Sequence, residues 1–161
     1  ARGLRLPGIV SHAAPPGGGT TDYAVEMYEA AARTGAYQSY IAAGTHLDMM
    51  YMPDALRAMV QLMEADGTRL IHRNAYNVSA MSVDPEKIAA SIRRQIPHFR
   101  LEYRVDPVRQ AIAESWPDSL DTSAARAEWG FEPEYDLDRM TDDMLRHLSA
   151  RRGTEALKLN A

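Results

Sequence analysis

The spacing of apolar residues along the chain predicts helices that alternate with short strands. An apolar residue at every third or fourth position predicts amphipathic helices that begin near residues 22, 54, 85 and 137, with shorter helices at 108–116 and 124–129. Strand-like segments are found at 4–11, 37–42, 75–79 and 99–105, and a short apolar run at 47–52 leads into the second helix. This alternation indicates an α/β or α+β layer architecture.

The second helix has a clear apolar stripe, formed by Leu56, Met59, Val60 and Met63. These residues lie at helical spacing, so we expect this stripe to face the core. The strand-like run at 4–11 also looks like a core strand, yet almost nothing precedes it. A buried strand in that position suggests a piece of something larger.

The connection from Pro15 to Tyr23 is unusual because it contains two prolines, three consecutive glycines and two adjacent threonines. Ordering a glycine triplet is costly, because glycine loses more backbone entropy on folding than any other residue. The connection matches neither the G-x-G-x-x-G fingerprint nor the phosphate-binding loop with its lysine. Two interpretations stay open: a turn in which Thr21 caps the next helix, or a loop that approaches a ligand.

Composition and charge exclude several classes of function. The 161 residues carry a net charge of −4 and contain no cysteine. An acidic chain is poorly suited to a polyanion, so we predict no nucleic-acid partner. Without cysteines there is no disulfide framework. The apolar runs fall short of the roughly 18 residues that a membrane span requires, so we expect a soluble, cytoplasmic protein with no membrane partner.

Few side chains stand out as candidates for catalysis. The five histidines fall on different predicted elements and show no pairing with a carboxylate at i, i+4, so no metal site is predicted: His12, His46, His72, His98 and His147. Four aspartates lie beside predicted helix starts, where capping is the expected role: Asp22, Asp48, Asp54 and Asp121. Trp116 either plugs the core or walls a pocket. No Gly-x-Ser-x-Gly elbow is present, so nucleophilic hydrolysis is not supported.

Five segments, taken together and in order, resemble a known family: LRLPGIVS (4–11), PGGGTTDYA (16–24), MMYMPD (49–54), YNVSAMS (76–82) and DPVRQAIAESWP (106–117). They are similar to the carboxyl-terminal half of L-threonine 3-dehydrogenases of the extended, epimerase-like short-chain dehydrogenase/reductase type, over residues 2–148. The resemblance implies an α/β fold, the carboxyl-terminal portion of an extended Rossmann-type enzyme with its small substrate-binding lobe. Residues 1–150 would form this unit, and 151–161 a flexible tail.

The resemblance also implies an activity and a site. The family oxidises the 3-hydroxyl of L-threonine with NAD and gives 2-amino-3-ketobutyrate. By resemblance, Leu6, Pro7 and Gly8 lie against the nicotinamide end of NAD. The amino-acid pocket would be lined by Gly19, Thr20 and Thr21 and closed by Trp116. The full-length enzyme would be a homodimer.

Parts of the family's machinery have no counterpart in this sequence. The catalytic pair Tyr-x-x-x-Lys is absent, since no tyrosine of the chain is followed by lysine four residues later. We therefore expect a fragment that is inactive alone, because no group is placed to take the hydroxyl proton. Two alternatives stay open. One is a fragment of a nucleotide-sugar epimerase or reductase, which would grip a diphosphate with residues such as Arg57, Arg93 and Arg109. The other is a non-catalytic binding module.

Overall fold

The computed structural model describes residues 1–159, and the side chains up to residue 151. In chain order its elements are β1 (Leu4–Arg5), β2 (Gly8–Val10), a 3-10 helix (Thr20–Asp22), α1 (Tyr23–Arg33), β3 (Ala36–Ser39), β4 (Leu47–Tyr51), α2 (Met52–Glu64), β5 (Tyr76–Asn77), β6 (Met81–Val83), α3 (Pro85–Arg93), β7 (Arg100–Tyr103), α4 (Pro107–Glu114), α5 (Ser123–Trp129) and α6 (Leu137–Leu159). The mixed α/β architecture that the sequence predicts is confirmed.

The strands form three small sheets. β1 pairs in parallel with β5, and β3 pairs in parallel with β7. The third sheet has the order β2, β4, β6, in which β4 is parallel to β2 and antiparallel to β6. Parallel pairs need long crossovers between their strands, and helices α1 to α3 lie within these crossovers.

The main core forms where α1 packs against α3 and α6. The side chains of Tyr23, Met27 and Tyr28 on α1 are fully buried. The Tyr28 hydroxyl lies 2.8 Å from Thr141 Oγ1, and both groups are buried, so this bond joins the first helix to the last. A second core lies beneath α2 and includes Met50, Leu62 and other residues of β4, β5 and α5.

The predicted strand 4–11 is wrong as one element, since it divides into β1 and β2, which belong to different sheets. The break falls at Leu6 and Pro7. Proline has no N–H to give to a strand ladder and is therefore found at strand ends and edges. The break turns the backbone at Leu6 and Pro7 into a short corner between the two sheets.

The predicted core face of α2 is also wrong. Leu56 is 54% exposed, Val60 50% and Met63 74%, and Met59 is exposed as well. The residues of α2 that are buried are Asp54, Ala55, Ala58 and Leu62. Small alanine side chains allow a helix to approach its neighbours closely, so the alanine side faces inward and the larger apolar stripe faces outward. We call the four exposed residues the α2 apolar face.

The last helix is longer than the sequence predicts. Its start is capped by the Asp136 carboxylate, which accepts a hydrogen bond from the N–H of Arg139 at 2.8 Å. α6 then runs to Leu159, past residue 150, where the flexible tail was expected to begin. Residues 160 and 161 of that predicted tail lie outside the described residues. No helix within residues 1–159 is both long enough and apolar enough to cross a membrane.

Candidate functional site

An open cleft of about 320 Å³ lies where the corner between β1 and β2 meets the segment after α4. Nine residues line it: Leu6, Pro7, Gly8, Thr21, Leu47, Asp48, Trp116, Pro117 and Leu120. The lining thus includes all three residues expected at the cofactor and two of the four expected at the substrate. Leu6 and Trp116 are 110 positions apart in the chain, and the fold brings them to one place.

Gly8 and Thr21 form the floor of the cleft. An added Cβ at Gly8 would lie 2.8 Å from Cγ2 of Thr21, a distance that real Cβ atoms do not show. Thr21 therefore packs directly on a backbone that has to be glycine. β2 is fixed at this point by its register with β4, where Gly8 pairs with Met49. The position of Thr21 is consequently set by the sheet.

The glycine-rich connection is held in place by its own hydrogen bonds. The Asp22 carboxylate accepts from the N–H of Gly19 at 2.8 Å, and the Tyr40 hydroxyl donates to the carbonyl of Gly19 at 3.1 Å. The Arg109 guanidinium lies 4.2 Å from the centre of the Tyr40 ring. Within the triplet, Gly18 has a φ of +94°, which favours glycine. The connection is therefore ordered, and it is linked to α4 through the contact between Tyr40 and Arg109.

The structure separates the predicted substrate residues. Thr21 lines the cleft, but Gly19 and Thr20 are absent from its lining. Gly19 is exposed and Thr20 is buried in the 3-10 helix. No side-chain capping bond is made to α1, so the interpretation of Thr21 as a helix cap is not supported. The assignment of Gly19 and Thr20 to the pocket stays a prediction.

Asp48 is the one ionisable residue among the nine that line the cleft, and it was not among the site residues expected from the sequence. Its expected role as a helix cap is wrong, because it lies within β4 and accepts a hydrogen bond from the N–H of Leu120 at 2.6 Å. Burial raises the pKa of the Asp48 carboxyl above its usual value. The alternation in β4 could have indicated this position, since Leu47 and Met49 are buried on either side of it.

Trp116 is 42% exposed and forms part of the cleft wall. It therefore does not plug the core, which was one of the two roles that its sequence context allowed. The aromatic ring instead supplies apolar surface to the cleft, next to Pro117.

The other aspartates make contacts of several kinds. Asp121 accepts from the N–H of Ser123 at the start of α5, as its predicted capping role requires. Asp54 is buried in the first turn of α2, but it holds the loop before α6: it accepts from the N–H of Glu134 at 3.0 Å and of Tyr135 at 2.9 Å. Its expected role as a cap is therefore wrong.

The expectation for the histidines requires a correction. Asp143 and His147 are four residues apart, so an i, i+4 carboxylate and histidine pair was present in the sequence. The fold brings His12 to the same place, and one possible ligand atom from each of the three residues lies within 4.8 Å of the others. The spacing of Asp143 and His147 is visible in the sequence, whereas the contact with His12 is not, because His12 is far away in the chain.

The three arginines considered for a diphosphate site are not assembled. Arg57 pairs with Asp54 at 2.7 Å, Arg93 donates to the carbonyl of Phe99 at 3.0 Å, and Arg109 stacks on Tyr40. Each lies on a different helix and already has a partner. No residue of the cleft lining carries a positive charge.

Comparison with known proteins identifies relatives at high identity. No family model matches the chain. An epimerase/dehydratase of Staphylococcus saprophyticus, whose name describes it as uncharacterized, is 56% identical over 154 residues, and a similarly named protein of Staphylococcus haemolyticus is 58% identical over 150 residues. These matches cover 96% and 93% of the chain but only 48% and 47% of the relatives. The chain spans about half the length of the curated relatives that it matches.

Solved structures also match this chain over about half of their own length. The L-threonine dehydrogenase of Clostridium difficile matches with a TM-score of 0.92 and 60% identity, over 94% of this chain and 47% of that chain. The L-threonine 3-dehydrogenase of Trypanosoma brucei matches with a TM-score of 0.88 and 44% identity, over 94% and 47%. An NAD-dependent NDP-hexosamine 5,6-dehydratase shares the fold alone, at 12% identity. The two threonine dehydrogenase structures confirm the resemblance to the carboxyl-terminal half of L-threonine 3-dehydrogenases.

Proposed function

We propose that the chain supplies the substrate-binding half of an L-threonine 3-dehydrogenase. Its fold, which is that of the carboxyl-terminal portion of extended, epimerase-like short-chain dehydrogenase/reductases, supports this proposal. The reaction would oxidise the 3-hydroxyl of L-threonine to 2-amino-3-ketobutyrate with NAD. The observation that carries the proposal is the cleft, which joins the corner at Leu6 to Gly8 with Thr21 and Trp116.

The chemistry of the cleft suits an amino acid better than a nucleotide sugar. Its volume of about 320 Å³ lies at the small end of ligand pockets. Asp48 gives the wall a carboxylate, which repels a diphosphate, and the lining offers no cation to offset that repulsion. The Thr21 hydroxyl can donate a hydrogen bond to a polar amino acid or accept one from it. These features favour L-threonine over the nucleotide-sugar alternative.

The residues at the corner fit the nicotinamide end of a cofactor. Leu6 is 39% exposed and Pro7 is part of the same wall, so both offer apolar surface to a flat ring. Gly8 has no side chain, which leaves room for Thr21 to pack against this wall. When bound, NAD would accept the hydride from the substrate carbon. Leu6, Pro7 and Gly8 would position the ring, and the apolar wall with Trp116 would limit the access of water to it.

We propose that an amino-terminal half supplies what this chain lacks. The α2 apolar face is uncovered, and β1 and β2 each have a single strand partner within residues 1–159. An exposed apolar stripe beside open strand edges is typical of a surface that another part of the protein covers. The missing half would provide the proton acceptor and the site for the adenine end of NAD. The chain alone would be inactive.

A non-catalytic binding module is the second candidate, because the cleft exists without the catalytic pair. Calorimetry separates the candidates. Binding of L-threonine with no turnover in any reconstituted mixture would favour the module, whereas binding of a nucleotide sugar would favour the epimerase-type fragment. A homodimer of the full-length enzyme and a cytoplasmic location stay predictions from the resemblance.

The substitution Thr21→Ala in an enzyme reconstituted with the amino-terminal half of the Clostridium difficile relative tests the proposed site. Loss of one hydrogen bond to the substrate costs about 1 kcal/mol, so we expect KM for L-threonine to rise roughly five- to tenfold while KM for NAD changes less than about twofold. Thr122→Ala is a matched control, because the Thr122 side chain makes no capping bond. An equal rise in both KM values would contradict the assignment of Thr21.

A further inference from the structure

We propose that His12, Asp143 and His147 bind a divalent transition-metal ion of the Zn²⁺ class. His12 lies in the connection after β2, and the other two residues lie one turn apart on α6. One possible ligand atom of each residue lies within 4.8 Å of the others, and all three side chains are partly exposed. The proposal does not depend on the proposed dehydrogenase function, since none of the three residues lines the cleft.

The ring of His147 lies against Asp143, one turn earlier on α6, with Nδ1 3.5 Å from the carboxylate Oδ2. Its Nδ1 lies 2.9 Å from the carbonyl oxygen of Asp143, so Nδ1–H donates to the backbone and Nε2 keeps its lone pair. Histidines that bind metals typically donate their other ring N–H to a carbonyl or carboxylate in this way, which fixes the tautomer. The bond to the Asp143 carbonyl thus leaves Nε2 as the ring nitrogen with a free lone pair.

Asp143 is held as a carboxylate by its neighbours. The Tyr51 hydroxyl donates to Asp143 Oδ2 at 2.7 Å, and the Arg146 guanidinium pairs with Oδ1. Burial acts to raise the pKa of Asp143, but the hydrogen bond from Tyr51 and the nearby His147 and Arg146 outweigh it and lower the pKa. Arg146 is therefore a partner that a metal ion would have to displace from one oxygen.

His12 is brought to the pair by packing and by a backbone tether. Its ring stacks on the ring of His147, with centroids 3.9 Å apart and planes 9° from parallel. The Arg151 side chain donates to the carbonyl of His12 at 3.1 Å. Burial, followed by the nearby His147, lowers the pKa of His12.

The donor set selects the class of ion. Two imidazoles and one carboxylate suit Zn²⁺, Co²⁺ or Ni²⁺, whereas Mg²⁺ and Ca²⁺ prefer oxygen ligands. Zinc bonds of about 2.0–2.1 Å require ligand atoms roughly 3.3 Å apart, so the stacked rings have to tilt toward each other on binding. Partly exposed side chains allow that rotation. Three protein ligands leave a fourth position for water.

Calorimetric titration of the 161-residue chain with ZnCl₂ tests the proposal. We expect one saturable site, and at least about tenfold weaker binding in His12→Ala, in His147→Ala and in Asp143→Asn. Arg146→Ala should bind the ion more tightly, because a competing cation is removed. His98→Ala is the matched control, an exposed histidine on the segment before β7, and should bind as the unchanged chain does. The chain has no cysteine that could compete for zinc.

Two further readouts keep the test decisive. Circular dichroism establishes that each variant is folded, and X-ray absorption of the Co²⁺ or Zn²⁺ complex should show two imidazole ligands in the unchanged chain and one in His12→Ala. The proposal is overturned if no saturable binding occurs, or if folded His12→Ala and His147→Ala bind as tightly as His98→Ala.

Discussion

Replacing Gly8 with alanine tests whether Thr21 is seated on the sheet, as the proposed site requires. The added Cβ would lie 2.8 Å from Thr21 Cγ2, 3.1 Å from Thr21 Cβ and 3.3 Å from the carbonyl oxygen of Asp48. Carbon atoms pack best at about 3.5–4.0 Å, so the closest contact is too short by roughly 1 Å. Overpacking of this kind costs about 1–3 kcal/mol, and we expect the free energy of unfolding to fall by that amount.

Urea unfolding followed by circular dichroism measures the effect of Gly8→Ala, with the midpoint expected to fall while the slope stays unchanged. Gly17→Ala is the matched control. Its Cβ would have Asp22 Oδ2 as its nearest neighbour, at 3.9 Å, and Gly17 does not have a positive φ. This control should leave stability unchanged or raise it by up to about 1 kcal/mol.

The clash can be assigned to Thr21 by a double-mutant cycle. Thr21→Ser removes Cγ2 but keeps the hydroxyl, so the Gly8→Ala/Thr21→Ser variant should recover about 1 kcal/mol relative to the sum of the single changes. The reasoning is refuted if Gly8→Ala is as stable as Gly17→Ala, or if the two substitutions are additive.

Three other substitutions test separate parts of the account. Asp54→Ala should lower the free energy of unfolding, measured by urea unfolding, by roughly 3–5 kcal/mol. The substitution removes a buried carboxylate that accepts hydrogen bonds from two backbone N–H groups and from an arginine. A loss below about 1 kcal/mol would contradict this. Burial acts to raise the pKa of Glu128, but hydrogen bonds from Tyr76, His72 and two backbone N–H groups outweigh it and lower the pKa from 4.5 to about 2. Since the folded pKa is lowered, the stability from Glu128 is present above pH 4.5 and lost as the pH falls through about 2, and acid titration of Glu128→Gln should show a weaker loss across that window. On the α2 apolar face, Leu56→Glu should change the free energy of unfolding in urea by less than about 0.5 kcal/mol. The same substitution should weaken binding to the amino-terminal half, as measured by calorimetry. Strong destabilisation of the isolated chain would instead show that the face is part of its core.

Much of the fold could be predicted from local sequence patterns. Helices such as α1 and α3 have apolar residues at helical spacing, and the sequence also indicates where each helix begins. At α3 the carboxylate of Asp84 accepts a hydrogen bond from the N–H of Lys87 at 2.8 Å, and Pro85 occupies the first turn of the helix. The inward side of α2 could not be predicted in the same way. Hydrophobicity identifies the side of the helix with the larger apolar residues, whereas close packing favours the alanine side, and the larger residues are exposed.

The sequence predicted those residues of the candidate site that belong to a recognisable motif and that the fold also brings to the cleft. The resemblance pointed to Thr21 and Trp116, and the fold brings both to the cleft beside Gly8. Asp48 was missed because its position beside a predicted helix start favoured capping. The contact between His12 and His147 joins the connection after β2 to α6, two segments far apart in the chain, which no local spacing encodes.

The most direct test of the central claim is NADH formation from L-threonine by mixtures of the chain with the amino-terminal half of the Clostridium difficile relative, followed at 340 nm. A mixture of the two halves of that relative serves as the positive control. The account predicts no NADH from the 161 residues alone and steady NADH formation after mixing, dependent on both L-threonine and NAD. NADH formation by the chain alone would contradict the account. So would a mixture that stays silent with this chain while the positive control turns over.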